Sequence, residues 1–200
     1  MRVLALELSS GQGSIAFLDG DETCYLSEFA NNRKHSGPFF DSLKLCLEEF
    51  RQPDRIVVGL GPGSYAGTRI AIATAIGLQS ATGAELVGLP SFCALPTSFD
   101  DYVVIGDARR QSFWLARVSR RICADGPSLY TEEQLKTKLE AIESAVFTSE
   151  TLSSFLHVTL LHPSALILAQ TASVESAVVR PTPLEPIYLR EPHITRPKAA

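Results

Sequence analysis

The chain has 200 residues, 45% of them hydrophobic, which is enough for a real core in one large domain or two small ones. A formal charge of −4 and the lack of any long run of Lys or Arg exclude a chain that grips a phosphate backbone alone, so any nucleic acid would be held through a partner. Cys24, Cys46, Cys93 and Cys123 are scattered without a C-x-x-C pair, which argues against a zinc site or a disulfide framework and fits a reducing cytoplasm. Glu7 interrupts the opening apolar run, so neither a signal peptide nor a membrane span is expected there.

Residues 2–9 alternate around β-prone positions, residues 11–13 turn the chain, and Ser14-Ile15-Ala16-Phe17-Leu18 returns it as a hairpin. After Asp19-Gly20-Asp21-Glu22, a third run over 23–29 completes a predicted three-strand meander. Beyond the polar loop Asn31-Asn32-Arg33-Lys34, the residues Phe39, Phe40, Leu43, Leu45, Cys46, Leu47 and Phe50 recur at threes and fours. That spacing predicts an amphipathic helix, with Pro38 in its first turn. His35, just before it, reads as a solvated loop histidine, because no second His or carboxylate lies at ligand spacing.

Pro53 closes the helical region and residues 55–60 predict a strand. The stretch that follows, Gly59-Leu60-Gly61-Pro62-Gly63-Ser64-Tyr65-Ala66-Gly67-Thr68-Arg69, packs four glycines and a proline into a turn that opens a helix, with Ser64 as N-cap. Such a loop is built for close approach, and the helix dipole above it suits an anion. Gly61-Pro62-Gly63-Ser64-Tyr65-Ala66 satisfies the dinucleotide pattern G-x-G-x-x-[GA], but the ribose-binding acid should end the next strand, whereas Glu85 begins it. No Lys follows Gly67 as a P-loop needs, and no Ser sits in a nucleophile elbow. A strand-to-helix turn with structural glycines therefore stands beside the anion-binding reading. The helix is thin, with Ala71, Ala73, Ala75 and Gly77 among Ile70, Ile72, Ile76 and Leu78, so it wants cover on more than one face. Residues 85–89 give a fifth strand ended by Pro90.

From about Asp100 the pattern restarts. Residues 102–107 and 112–118 read as strands joined by a hairpin at Ala108-Arg109-Arg110-Gln111, and Thr131 with Gln134 makes a capping box for a helix over 135–142. A short strand at 145–147 and a buried helix over 164–174 follow, and the Pro-rich tail from Pro181, with Arg190, Arg196 and Lys198, is expected to run over the surface. The second half thus reads as a shorter copy of the first. The division is an N-terminal subdomain over 1–96, a smaller C-terminal one over 97–180 and a tail over 181–200. The order β-β-β-α-β-α-β resembles the ribonuclease-H-like half of the actin-like ATPases, so the predicted fold is α/β, two βββαβα-type subdomains with the second reduced.

Three segments far apart in the chain resemble one family, the TsaB proteins of tRNA threonylcarbamoyladenosine synthesis. Val3-Leu4-Ala5-Leu6-Glu7-Leu8-Ser9-Ser10 is similar to that family's opening strand. Gly61-Pro62-Gly63-Ser64-Tyr65-Ala66-Gly67-Thr68-Arg69-Ile70 is similar to its G-P-G-S-F-T-G-x-R-[IV]. Asp107-Ala108-Arg109-Arg110 and the tail Glu185-Pro186-Ile187-Tyr188-Leu189-Arg190 resemble its D-A-R-[RM] and E-P-x-Y-[LV]-R. The resemblance implies a noncatalytic subunit that binds and activates a TsaD-type catalytic subunit, which carries the metal and the transferase chemistry, and that recruits a TsaE-type ATPase. It also implies that tRNA is met only through the complex, in the cytoplasm.

On this reading the partner interface comprises Phe39, Phe40, Leu43, Leu47, Ile70, Ala73 and Ile76, two helices that would form half of a four-helix bundle with TsaD or with a second copy in a homodimer. Glu7, Ser9, Gly61, Gly63, Ser64, Asp107 and Arg109 would be the remnant of a nucleotide site; no cofactor is assigned to this chain alone, and ATP and magnesium are placed at the interface of the complex. The chain departs from the pattern where Glu7 replaces the superfamily's Asp and where Gln111-Ser112-Phe113-Trp114 replaces a Glu-Val-Tyr-like strand. It is also short for the family, with its second subdomain trimmed. The alternative is an ATP-dependent kinase or hydrolase in which Glu7 and Asp107 hold magnesium and the backbone of residues 61–64 touches phosphates. A peptidase ranks last, for want of a metal cluster or a Ser-His-Asp arrangement; His157 and His162 do not supply the metal pair.

Overall fold

The computed structural model describes residues 1–31, 36–50, 52–173 and 184–190. His35, most of the loop at 31–34, the start of the tail at Pro181, and Arg196 and Lys198 lie outside them.

The first half is built as the periodicity predicts. β1 (Arg2–Glu7), β2 (Gln12–Asp19) and β3 (Glu22–Ala30) form an antiparallel meander. α1 (Gly37–Glu49) leads to β4 (Arg55–Gly59), parallel to β1, and α2 (Tyr65–Thr82) leads to β5 (Glu85–Leu89), parallel to β4. The sheet order is β3-β2-β1-β4-β5. A short 3-10 helix, Ser91–Ala94, then carries the chain into a second sheet.

That sheet repeats the plan. β6 (Asp101–Arg109), β7 (Ser112–Ser119) and β8 (Ile122–Thr131) form a second meander, and α3 (Glu132–Glu140) leads to β9 (Ala145–Thr148), parallel to β6. β10 (Thr159–Leu160) completes the order β10-β9-β6-β7-β8. β8 is absent from the sequence prediction, which moves directly from β7 to the capping box. With it, both halves have the meander-and-crossover order of the actin-like ATPase (ribonuclease-H-like) fold. The reduction of the second half is local: among the described residues no helix joins β9 to β10, and β10 is only two residues long.

β1 and β4 are buried on both faces, which explains their unbroken apolar runs. Leu4, Leu6, Ile15, Phe17, Ile56 and Val58 face α1 and α2, while Val3, Ala5, Ala16, Leu18 and Val57 face α4 (Ala165–Ser173) on the other side. α4 follows the second sheet in the chain yet packs on the first, so by packing it does not belong with the rest of 97–180. Its last turn is held by Arg55, whose guanidinium donates to the Ala172 carbonyl and, at 2.7 and 2.9 Å, to Glu85 Oε2. A cation at a helix C-terminus complements the dipole as well as the free carbonyl. Arg55→Met is expected to cost about 2 kcal/mol in urea unfolding, since it removes the ion pair with Glu85 and leaves the buried Ala172 carbonyl without its donor. An unmoved midpoint would mean that the apolar face alone holds α4.

Candidate functional site

The glycine-rich loop makes its close approach to the protein's own first strand. The Ser64 amide donates to the Ser9 carbonyl at 2.6 Å, and the Ser64 hydroxyl caps α2 by accepting from Gly67 N–H at 3.2 Å. A Cβ at Gly63 would run into the Ser9 carbonyl, and one at Gly67 into the Leu8 carbonyl. These two glycines are therefore required by the backbone beyond β1, which Asn31 also grips by donating to the carbonyls of Leu8 at 2.9 Å and Ser10 at 2.8 Å. Gly61, at φ 83 and joined to Pro62 by a cis bond, exchanges hydrogen bonds with Ser91 on its other side.

Between the C-terminal ends of the two sheets lies a cleft of about 820 Å³. Of the predicted nucleotide-site residues, Ser9, Gly63, Ser64, Asp107 and Arg109 line it, and Glu7 and Gly61 do not. Asp107 turns both carboxylate oxygens to Arg109, accepting from its amide at 2.6 Å and its guanidinium at 2.8 Å. Several lining residues are not among those predicted for the nucleotide site. Glu150 accepts from the Asp107 amide at 2.9 Å, His162 Nδ1 lies 3.1 Å from Ser10 Oγ, and Tyr188 and Arg190 reach the cleft from the tail. No sequence signal marks Glu150 or His162. The E-P-I-Y-L-R string did mark the tail segment, yet it was expected on the surface, and instead Leu184, Ile187 and Leu189 pack against the cores.

Glu7 sits behind this wall, completely buried. Its Oε1 accepts from the Ser9 amide at 2.6 Å and its Oε2 lies over Gly59, with the hydroxyls of Ser9 and Ser91 nearby but no well-aligned hydrogen bond. Burial pushes its pKa up, and the Ser9 and Ser91 groups pull it only part of the way back. The residues do not fit the magnesium nucleotide that the fold family implies: this acid is walled off from the cleft, Asp107 is already paired, and the loop is closed on β1. The described residues also contain no cluster of three or more His, Cys, Asp or Glu that could hold a metal.

A pH prediction follows from Glu7. Because its folded pKa is raised, its favourable contribution is complete below the unfolded value near 4.5 and is lost as pH rises through the folded value. Glu7→Gln is expected to match the wild type near pH 4 and to be more stable by about 1–2 kcal/mol at pH 8. Parallel curves of melting temperature against pH would contradict this assignment.

The predicted interface residues divide. Phe39 and Leu43 are core residues, 2% and 5% exposed, with Phe39 tilted against Phe29. They lie on the side of α1 that faces the sheet, where the i, i+4 spacing carries them together. Phe40, 47% exposed, lies outside, and Leu47 and Ile70 are half-buried against the core. On α2 the outward positions include Ala66, Arg69, Ala73, Ile76 and Gly77, while Gly67, Ala71 and Ala75 face inward. Leu45, more exposed than Phe40, is not among the predicted residues.

The family model of TsaD, tRNA N6-adenosine threonylcarbamoyltransferase, matches residues 32–137. The chain belongs to this family. Within the family, its likeness to TsaB runs over nearly its whole length: the tRNA threonylcarbamoyladenosine biosynthesis protein TsaB of Haemophilus influenzae is 23% identical over 95% of this chain and 94% of that one. An uncharacterised protein of Mycobacterium tuberculosis is 29% identical over 70% of this chain, and the match spans 65% of that relative's length. YeaZ from Pseudomonas aeruginosa superposes with a TM-score of 0.74 at 19% identity, covering 94% of this chain and all of that one. This superposition shows that the two chains share a fold. No helix of the described residues is long and apolar enough to cross a membrane.

Proposed function

We propose that this chain works in threonylcarbamoyladenosine biosynthesis, for which its Haemophilus relative is named, as a noncatalytic subunit that docks to a TsaD-type catalytic subunit and activates it. The observation that carries the reading is the outer face of α2. An 18-residue helix presents Ala66, Ala73, Ile76 and Gly77 outward on the same sheet face as Phe40 of α1. Small residues let a partner helix come close, and two such helices can bury the roughly 800 Å² per side that a stable interface needs. The face is the same on every copy, so without its partner the chain would pair with a second copy about a two-fold axis.

The cleft supports a role without chemistry, since its loop glycines and its acids are used within the chain. ATP and magnesium would then bind at the interface with the catalytic subunit, a TsaE-type ATPase would join the assembled pair, and tRNA would be reached through the partner, in the cytoplasm. The direct test is ATP turnover by the purified chain with magnesium. No turnover above background is expected, and clear turnover abolished by Glu7→Ala would instead favour the ATP-dependent kinase or hydrolase.

A further inference from the structure

We propose that residues 184–190 are a strap that sets the opening of the cleft, and that Arg69 ties this strap to the outer face of α2, so that docking on α2 is transmitted to the cleft. The second half of the proposal rests on the docking reading above.

The strap spans both halves of the molecule. Leu184 packs over Gly88 of β5, and the Ile187 amide donates to the Leu60 carbonyl beyond β4 at 2.8 Å. Ile187 touches the core on the α1 and α2 side of the first sheet and also the core of the second, where Leu189 joins it. Arg190 then donates to Ser112 Oγ at 2.5 Å, at the start of β7 and directly opposite Arg109 of β6. Seven residues thus connect the two walls of the cleft, and any change in the angle between the sheets must stretch or release them.

Its central pin is polar and exposed. The Tyr188 hydroxyl accepts from Arg69 Nε at 2.9 Å and from its terminal nitrogen at 2.7 Å. The guanidinium lies 3.8 Å from the ring centroid of Tyr65 and 5.6 Å from that of Tyr188. Arg69 is also one of the outward residues of α2, three beyond Ala66 and four before Ala73, so a helix laid along that face must cover it. Covering a guanidinium removes its water, and a partner carboxylate satisfies it better than a neutral phenol does. A partner that presents an acid there draws Arg69 away from Tyr188, and the strap loses the bonds that hold its middle. Tyr188 is then a positioning residue: it acts through Arg69 and the strap and takes no part in chemistry.

The test is hydrogen exchange at the Ile187 amide in the full-length chain. Tyr188→Phe keeps the ring and removes the acceptor, and Arg69→Gln removes the charge. Each is expected to speed exchange at Ile187 about tenfold or more while the amides of β1 and β4 keep their protection. Unchanged exchange at Ile187 in both variants overturns the strap. With a saturating amount of purified TsaD-type subunit, the wild-type Ile187 amide is expected to move toward the rate of Tyr188→Phe, and an unchanged rate in a complex that has formed overturns the coupling. If no complex forms, the docking reading fails and takes the coupling with it, while the free chain still decides the strap.

Discussion

Gly67→Val is expected to lower the thermal midpoint by about 6–12 °C, a larger effect on stability than that of Arg55→Met or Glu7→Gln. The added Cβ meets the Leu8 carbonyl, with the Ser64 hydroxyl 3.1 Å and the Asn31 amide 3.2 Å away. None of these can yield cheaply. Leu8 follows directly on β1, which is paired on both sides, and its carbonyl is already engaged by Asn31. Forcing bulk into such a place costs about 3 kcal/mol, and each kcal/mol moves the midpoint of a domain of this size by about 2–4 °C. Gly77→Ala is the internal control, since a Cβ there meets nothing within 4 Å. In mid-helix that change should stabilise by up to about 1 kcal/mol. Circular dichroism melts of the two variants decide the matter. A Gly67→Val midpoint within a degree of the wild type would mean that the approach of the loop to the Leu8 carbonyl does not require a glycine.

Ala73→Arg is expected to abolish binding to the TsaD-type subunit and leave the isolated fold intact. Ala73 is exposed at the centre of the outer face of α2, and Arg is nearly as good a helix former as Ala, so the free chain loses little. Within a docked helix pair the long cation has no room and loses its water. An unpaired buried charge costs about 3–5 kcal/mol, a loss of about 10²- to 10³-fold or more in affinity. Size-exclusion chromatography of the mixture reads this directly, with the melting curve of the variant as the check on folding. A variant that binds within a few fold of the wild type would place the interface elsewhere.

The parts of the molecule legible in sequence are those where one local rule governs. The first meander, the Ser64 cap and the Thr131–Gln134 capping box all follow from alternation and cap chemistry, and each is present. β8 was illegible because it is an edge strand with most of its residues exposed. Its first six residues, Ile122-Cys123-Ala124-Asp125-Gly126-Pro127, show no apolar alternation, and pairing with β7, irregularities included, is what makes it a strand. On α1 the apolar residues occupy more than one side, so spacing alone could not say that Phe39 and Leu43 face the sheet while Phe40 faces out.

Glu7 shows a different limit. Its position at the end of β1 was readable, but its neighbours Gly59 and Ser91 come from distant parts of the chain, and they decide that its carboxylate is buried away from the cleft. The motif Gly61-Pro62-Gly63-Ser64 named the right loop and left its purpose open between holding an anion and making a tight turn. The carbonyls of Leu8 and Ser9 support the turn. The tail motif was visible as a string, but its role depends on Arg69, which lies 119 positions earlier.

Transfer of the threonylcarbamoyl group to tRNA by a purified TsaD-type subunit, with its ATPase partner and ATP present, tests the central claim most directly. The account predicts that transfer depends on this chain, persists with Glu7→Gln and is lost with Ala73→Arg. Transfer that proceeds equally well without the chain, or with Ala73→Arg in its place, would contradict it.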